Sequence, residues 1–190
     1  MVRSILIING PNLGRLDLRD QSIYGAGGYP QLVEKINEFA RELAIEVDIR
    51  QSDSETEIVS WLHEAADAKS PVIINPAAFT HYSYAIRDAV EMLKAPVIEV
   101  HLSNPLAREE FRQHSYAAPH ATGVVFGFGI ESYLAGIVGL FGDHFGLEVV
   151  VVSGVKIAQG IEDFAAPAIS IGIGILVGIA QMVFFDNREG

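Results

Sequence analysis

The chain contains no cysteine and few basic residues. Without cysteine it has no disulfide, no thiolate nucleophile and no thiolate metal ligand. It has 13 Lys and Arg against 24 Asp and Glu, for a net charge of −11 at pH 7. A nucleic-acid-binding protein needs a basic face, so this class is not expected. A small anionic ligand remains compatible with the composition, because a few arginines in one pocket reverse the local field.

Several well-known motifs are also missing. No G-x-x-x-x-G-K or G-x-G-x-x-G pattern follows the first apolar run, and there is no H-E-x-x-H or G-x-S-x-G. Histidines and carboxylates do not cluster at metal-ligand spacing. The first ten residues lack a secretory leader, so a cytoplasmic location is expected. The sequence therefore gives no sign of a metal, a nucleotide or export.

Five short apolar runs alternate with helical patterns along the first 140 residues. Nearly every position in these runs is apolar, which is typical of parallel strands buried on both faces. The pattern predicts an α/β fold with a flavodoxin-like, doubly wound five-stranded parallel sheet. The expected strands are 4–9, 46–49, 72–75, 96–102 and 123–128, and the expected helices are 29–43, one from Ser54, 82–93, a short one at 105–111, and 131–140.

Polar side chains follow these strands where each one ends. Asn9 and Asn12 follow the first strand, Asn75 ends the third, and His101 and Ser103 end the fourth. A doubly wound sheet binds its ligand at the carboxyl ends of its strands. We therefore expect a site at this edge, although loops are commonly polar for other reasons.

Glu99 and His101 are the strongest candidates for acid–base chemistry. They are two residues apart on a predicted strand, so their side chains lie on the same face. A carboxylate beside an imidazole fixes its tautomer and favours its protonated form, which suits a general acid. The alternative is a buried ion pair without a catalytic role.

Three further basic residues lie close to these strand ends. His81 follows the third strand and could contact a ligand or cap a helix. Arg108 and Arg112 are four apart in the short predicted helix and would share a face. They could hold a carboxylate, or simply pair with Glu109 and Glu110 on the surface.

Residues 10–25 form a long connection between the first strand and the first helix. Long ordered loops often act as lids. This loop carries Arg15, Arg19 and Tyr24. A tyrosine among arginines becomes a phenolate base if its pKa is lowered by their charge. The alternative role for Tyr24 is simple packing of the loop.

Taken in order, several motifs resemble one family, the type II 3-dehydroquinate dehydratases. The resemblance covers about residues 3–140 and contains separate motifs in the right order. They are INGPNLGRL at 8–16, RQSDSE at 50–55, NPAAFTH at 75–81, IRDA at 86–89, EVHLSN at 99–104, AREEFRQHSY at 107–116 and GFGIESY at 127–133.

The resemblance implies loss of water from 3-dehydroquinate to give 3-dehydroshikimate through an enolate, in the shikimate pathway and without a cofactor. Tyr24 matches the base, and Arg19 matches the lid residue that keeps the tyrosine ionised. Asn12 matches the residue that holds a water against the enolate oxygen. His101, oriented by Glu99, matches the acid that protonates the leaving hydroxyl.

The same resemblance implies the substrate contacts and the assembly. Asp88 is expected near the site, from a neighbouring subunit, and Arg108 close to the tyrosine. The family assembly is a homododecamer, a tetramer of trimers. Direct substrate contacts are implied for Asn75, His81, Leu102, Ser103 and Arg112. The chain departs from the family pattern at Asp17, Gln21, Ala77, Tyr82 and Tyr84.

Residues 141–190 lie outside the resemblance and are treated as an apolar C-terminal extension to a catalytic domain at 1–140. Residues 164–185 carry no charge and are long enough to cross a bilayer as a helix. Membrane contact is one expectation. The others are a buried tail helix, packing between subunits, or an abnormal reading-frame product. Residues 148–152 resemble one more strand.

Two other classes of function compete with the enzyme. The first is a non-catalytic ligand-binding or regulatory protein on the same scaffold, which would have no need for both a base and an acid. The second is a flavodoxin-like electron carrier, whose phosphate loop is missing. The sequence leaves open whether the reaction serves biosynthesis or quinate breakdown.

Overall fold

A computed structural model describes residues 3–19 and 28–141, together with the backbone of three strands further on. The first part forms a single parallel sheet covered by helices. Its strands are β1 (Arg3–Asn9), β2 (Ile45–Gln51), β3 (Val72–Asn75), β4 (Val97–His101) and β5 (Gly123–Phe126). Its α-helices are α1 (Tyr29–Glu42), α2 (Glu55–Ala68), α3 (Tyr84–Glu91) and α4 (Glu131–Phe141).

The strand order is β2-β1-β3-β4-β5 and every pairing is parallel. This confirms the predicted flavodoxin-like, doubly wound sheet. The chain moves outward in one direction from β1 and in the other from β3, so a crevice opens at the carboxyl ends of these two strands. Asn9 and Asn75 are direct neighbours in the register there.

Two hydrophobic clusters sandwich the sheet. Ile5 and Ile7 of β1 face α1 and α4, whereas Leu6 and Ile8 face α2 and α3. All four side chains are buried. Burial on both faces explains why the strands are apolar at nearly every position.

Serine side chains cap the N-termini of two helices, α2 and α3. Ser54, where the sequence predicts a helix to begin, accepts a hydrogen bond from the Glu57 amide, and Ser83 accepts one from the Ile86 amide at 2.9 Å. The Glu57 carboxylate does not return to the Ser54 amide, as a full capping box would require. It accepts instead from the Ser52 hydroxyl, which itself accepts from the Ser54 amide at 2.9 Å.

The segment after β4 differs from the predicted short helix. It forms two separate 3₁₀ turns, Pro105–Ala107 and Glu110–Gln113. Arg108 lies between them with extended backbone (φ −116°, ψ −164°), so no continuous helix joins it to Arg112. The prediction that the two arginines share a helical face is therefore wrong.

The connection after β1 contains a 3₁₀ helix, Leu13–Leu18, anchored by the buried side chains of Leu13 and Leu16. Asp17 lies in this helix, 3.5 Å from Arg15. Tyr24 and Gln21 lie outside the described residues, as do the others between 20 and 27.

The extension contributes a second, antiparallel sheet of three strands. They are β6 (Glu148–Val152), which agrees with the predicted strand, β7 (Val155–Gln159) and β8 (Phe184–Phe185). Of the uncharged stretch 164–185, only β8 falls within the described residues. No helix in the described part of the chain is long and apolar enough to cross a membrane.

Candidate active site

A crevice of about 160 Å³ lies at the carboxyl ends of β1, β3 and β4. Most of the residues singled out from the sequence meet there. Asn12 and Arg19 come from the segment after β1, and Asn75 and His81 come from the end of β3 and the turn that follows. The β4 side provides His101, Leu102, Ser103, Arg108 and Arg112.

Two predicted site residues in the described part of the chain, Glu99 and Asp88, do not line this crevice. Glu99 lies beneath it, fully buried behind His101. Asp88 lies on α3, where its exposed carboxylate pairs with Arg87 at 2.6 Å. Tyr24 is outside the described residues.

Glu99 and His101 form the predicted pair. The Nε2 atom of His101 lies 2.7 Å from Oε1 of Glu99, and the imidazole is 11% exposed. An ionised carboxylate can only accept, so Nε2 carries the proton of this hydrogen bond. The other ring nitrogen, Nδ1, is therefore the atom left to exchange a proton with a ligand.

Two hydroxyl groups complete the surroundings of the Glu99 carboxylate. Thr80 Oγ1 donates to Oε1 at 2.6 Å, and Ser115 Oγ donates to Oε2 at 2.9 Å. Burial alone would raise the pKa of Glu99. The hydrogen bond and charge of His101, followed by the Thr80 and Ser115 hydroxyls, outweigh burial and hold that pKa below its usual range.

Asn75 belongs to a second buried cluster, which carries no charge. Its Nδ2 donates to the Tyr133 hydroxyl at 2.9 Å, and that hydroxyl donates to Oδ1 of Asn9 at 2.5 Å. Oδ1 of Asn75 accepts from the Ala77 amide at 3.2 Å. Burial raises the pKa of Tyr133, so it remains a neutral phenol. The cluster holds the Asn75 amide in one orientation at the crevice wall.

His81 is held as a neutral imidazole. Its Nδ1 lies 2.8 Å from the carbonyl oxygen of His114, which can only accept. Burial lowers the pKa of His81, and the charges of His101 and Arg112 add to this effect against the opposing hydrogen bond. Since Nδ1 donates, Nε2 of the neutral ring is a free acceptor for a ligand hydroxyl. Ser83 caps α3, so His81 is not needed for that role.

The arginines pair with a surface carboxylate and also line the crevice. Arg108 and Arg112 line the crevice, and both also approach the exposed Glu109, at 3.5 and 2.8 Å. Arg108 further contacts the Ser103 hydroxyl at 3.5 Å. With Arg19, these side chains give the crevice three guanidinium groups, and its described lining includes no carboxylate. An acidic chain thus presents a locally positive pocket.

The segments that follow β1 and β3 approach each other closely next to the crevice. Gly10 donates its amide to the Asn75 carbonyl at 2.8 Å, and a Cβ at Gly10 would lie 2.6 Å from the Pro76 carbonyl oxygen. Only glycine fits there. Asn12 then adopts a left-handed conformation (φ 66°), fixed by its amide donating to Asp53 at 2.8 Å.

Three residues in these clusters were not identified from the sequence: Thr80, Ser115 and Tyr133. Thr80 and Ser115 lie 19 and 16 residues from Glu99, and Tyr133 lies 58 residues from Asn75. Such contacts arise because the fold brings distant parts of the chain together. Helix and strand periodicity predicts only contacts between residues that are close in the sequence, so it does not reveal them. The only available signal was that all three fall inside the family-like motifs.

Comparison with known proteins places the chain among related enzymes. A family model described as dehydroquinase class II matches residues 3–141. The 3-dehydroquinate dehydratase of Salinispora tropica is 54% identical over 129 residues, which are 68% of this chain and 90% of that protein. That of Mycobacteroides abscessus is 54% identical over 131 residues, covering 69% and 91%. The crystal structure of the type II dehydroquinase from Propionibacterium acnes matches with a TM-score of 0.72 at 48% identity, covering 74% of this chain and 97% of that one.

The chain therefore belongs to the class II dehydroquinase family. This membership confirms the resemblance found in the motifs, and with it the predicted dehydratase activity, which makes the chain a hydro-lyase. These relatives are named as dehydratases or dehydroquinases, which favours the enzyme over the non-catalytic alternative.

Proposed function

We propose that the crevice dehydrates 3-dehydroquinate to 3-dehydroshikimate by an elimination through an enolate, with His101 as the general acid and Tyr24 as the base. The observation that carries this proposal is the His101–Glu99 pair, a buried carboxylate and imidazole 2.7 Å apart at the wall of an arginine-lined pocket. The reaction lies in the shikimate pathway and uses side chains alone.

In the first step, the Tyr24 phenolate removes a proton from the carbon next to the ketone. The C–H electron pair becomes the enolate, whose oxygen is stabilised by a water held on Asn12. Arg19 lines the same crevice as Asn12 and supplies positive charge that keeps Tyr24 ionised. Arg108 lines the same crevice and adds to this charge.

In the second step, the enolate collapses and the C–O bond to the leaving hydroxyl breaks. Imidazolium His101 gives the Nδ1 proton to that oxygen, so water departs rather than hydroxide. The ring is left neutral with its proton on Nε2, where Glu99 already accepts it. Returning the proton from Tyr24 to His101 through solvent restores the enzyme.

Substrate binding uses the remaining polar groups of the crevice. Arg112 attracts the anionic substrate, together with the backbone of Leu102 and Ser103. Asn75 presents an amide held by Tyr133, and neutral His81 accepts from a substrate hydroxyl through Nε2. All five residues line the crevice, which supports these assignments.

Asp88 is proposed to act on a neighbouring subunit within a trimer, four of which form a dodecamer. Its carboxylate is exposed on α3 and does not line the crevice of its own chain. Light scattering should give a mass of twelve chains. Asp88→Asn should weaken substrate binding while leaving that mass unchanged; a monomer with full activity would refute this part.

Residues 1–140 are proposed as the catalytic domain and 141–190 as an extension, since the family match ends at residue 141. A chain truncated after Leu140 should remain folded and active. The proposed location is cytoplasmic. Full-length protein that sediments with membranes, while the truncated chain stays in the soluble fraction, would establish membrane contact through 164–185. Full-length protein that stays in the soluble fraction without detergent would rule that contact out and leave a buried tail or packing between subunits. Loss of folding on truncation would move the domain boundary.

The central test is incubation with 3-dehydroquinate while following the ultraviolet absorbance of the conjugated enone product. The native chain should produce this absorbance without added metal or nucleotide. His101→Ala at equal concentration is the control for contaminating activity. Turnover lost on chelation and restored by zinc or magnesium, or a lysine trapped by borohydride, would contradict the mechanism.

A further inference from the structure

The hydroxyl groups of Thr80 and Ser115 meet beside the Glu99 carboxylate, and neither residue lines the crevice. Their oxygens lie 2.7 Å apart, and either one could donate to the other. Each also reaches the Glu99 carboxylate, Thr80 on Oε1 and Ser115 on Oε2. Oε1 of Glu99 thus accepts from both His101 and Thr80, and Oε2 accepts from Ser115.

The two hydroxyls are themselves held in place by the backbone. Ser115 Oγ accepts from the Ala118 amide at 2.9 Å, which directs its own proton away from that amide. The Tyr116 amide donates to the Thr80 carbonyl oxygen at 2.8 Å, which ties the two loops together. Thr80 is 1% exposed, so its hydroxyl has no bulk water as an alternative partner.

Counting protons shows what this arrangement favours. The two hydroxyls have two protons to donate. Three contacts could take them: Thr80 to Oε1 of Glu99, Ser115 to Oε2 of Glu99, and the contact between the two hydroxyls. When Glu99 is ionised, both protons point to it, and the carboxylate oxygens receive donors from His101, Thr80 and Ser115. If Glu99 took up a proton, one of these donors would be displaced. The pair therefore favours the anion.

We infer that Thr80 and Ser115 are positioning residues that hold Glu99 as a buried anion and thereby keep the acid proton on the imidazole of His101. This inference rests on the proposed function. Removing a donor makes the anion harder to maintain, so a larger fraction of the pairs carries its proton on the carboxylate. In that fraction His101 is a neutral imidazole, which is a far weaker acid than imidazolium.

Loss of a donor to Glu99 should also change the pH dependence of turnover. A hydrogen-bond donor to an anion lowers the proton affinity of the whole pair, so its removal raises that affinity. The alkaline limb of the pH–rate profile, where the Glu99–His101 pair loses its acid proton, should shift to higher pH, and maximal turnover should fall. The other titratable or charged side chains that line the pockets beside the pair are unchanged by these substitutions: Arg19, His81, Arg108, Arg112 and His114.

The test compares Ser115→Ala and Thr80→Val with the conservative variants Ser115→Thr and Thr80→Ser. The first two should lower kcat by about tenfold or more, leave KM within about twofold, and shift the limb upward by about one pH unit. The conservative variants keep a hydroxyl, so they should restore both kcat and the native position of the limb. If Thr80→Val does not fold, Ser115→Ala decides alone.

Ser132→Ala is the matched control. Ser132 is buried and its hydroxyl accepts from the Phe128 amide at 3.2 Å, away from the crevice. This variant should keep the native pH profile, whatever its melting temperature. An upward shift in Ser132→Ala as large as in Ser115→Ala would mean that general loosening of the fold, and not loss of a donor to Glu99, causes the effect.

Two further measurements make failure of the inference distinct from failure of the proposed function. In a Glu99→Gln background, Ser115→Ala should cause no additional pH shift, because no anion remains to be held. NMR titration of ¹⁵N-labelled His101 reports the proton affinity of the pair without any substrate. An unchanged titration in Ser115→Ala overturns the inference, whereas absence of product from the native enzyme overturns only the dehydratase mechanism.

Discussion

Two buried polar clusters lie under the same crevice and differ in charge. One surrounds the Glu99 carboxylate with an imidazole and two hydroxyls, and the other joins Asn9, Tyr133 and Asn75 through neutral hydrogen bonds. In the charged cluster, removal of a partner leaves a buried ion without a hydrogen bond or opposite charge to stabilise it in the low-dielectric interior. In the neutral cluster, removal of a partner leaves only an amide without its hydrogen bond.

Because of this difference, we expect the two clusters to have different roles. The charged cluster determines where a proton resides, so its partners should affect turnover and its pH dependence. The neutral cluster determines how one amide is oriented, so its partners should affect binding and stability. Substitutions in each cluster test that division.

His101→Ala should have the largest effect. It removes the proposed acid and leaves the buried Glu99 without its imidazole partner. Turnover should fall at least about 100-fold, the usual contribution of a general acid. Steady-state kinetics measures the loss, and circular dichroism should show the native fold. Near-normal turnover in a folded His101→Ala protein would remove the charged cluster from the mechanism.

The two clusters should also differ in how the free energy of unfolding depends on acid pH. Folding lowers the pKa of Glu99, so its contribution to the free energy of unfolding is complete above its unfolded pKa, about 4.3. That contribution is lost as the pH falls through the lower, folded pKa. Urea titrations between pH 5 and 3 should therefore show a shallower loss of stability in Glu99→Gln than in the native chain. Equal slopes would mean that Glu99 is not a stabilised anion.

How much of these clusters the sequence reveals depends on how local each contact is. Glu99 and His101 were predictable because two positions along one strand share a face. Asn75 was predictable as a polar strand end in a doubly wound sheet. Thr80, Ser115 and Tyr133 were not, because they reach their partners only after distant loops and a helix fold over the strand ends. The break at Arg108 was likewise invisible to helical periodicity, which takes no account of the extended backbone between the two 3₁₀ turns.

Tyr133→Phe tests the neutral cluster. It removes the hydroxyl that joins Asn75 to Asn9 and leaves both amides short of a partner. The free energy of unfolding should fall by about 1–3 kcal/mol, measured by urea denaturation. KM should rise as the Asn75 amide loses its orientation, and the pH profile should stay native. A pH shift like that expected for Ser115→Ala would erase the distinction between the clusters.

His81 borders the charged cluster without belonging to it. Burial, with the charges of His101 and Arg112, lowers its pKa, so it should titrate below the usual histidine value of about 6.5. NMR of ¹⁵N-labelled protein should show the neutral ring with its proton on Nδ1 at pH 7. A protonated His81 at that pH would contradict its proposed role as an acceptor for a substrate hydroxyl.

The smallest expected effect concerns Ala77, whose amide donates to Oδ1 of Asn75 in the neutral cluster. Ala77 has φ of 51°, a left-handed conformation that costs a residue with a Cβ roughly 1–2 kcal/mol, whereas glycine adopts it freely. Ala77→Gly keeps the amide donor and relieves this strain, but the unfolded chain gains entropy worth about 0.4–1 kcal/mol. The net result should be a gain of about 0.5–1 kcal/mol in the free energy of unfolding, with unchanged kinetics. Loss of stability would show that the left-handed backbone at Ala77 is not strained, and a changed pH profile would show that the two clusters are coupled through this turn.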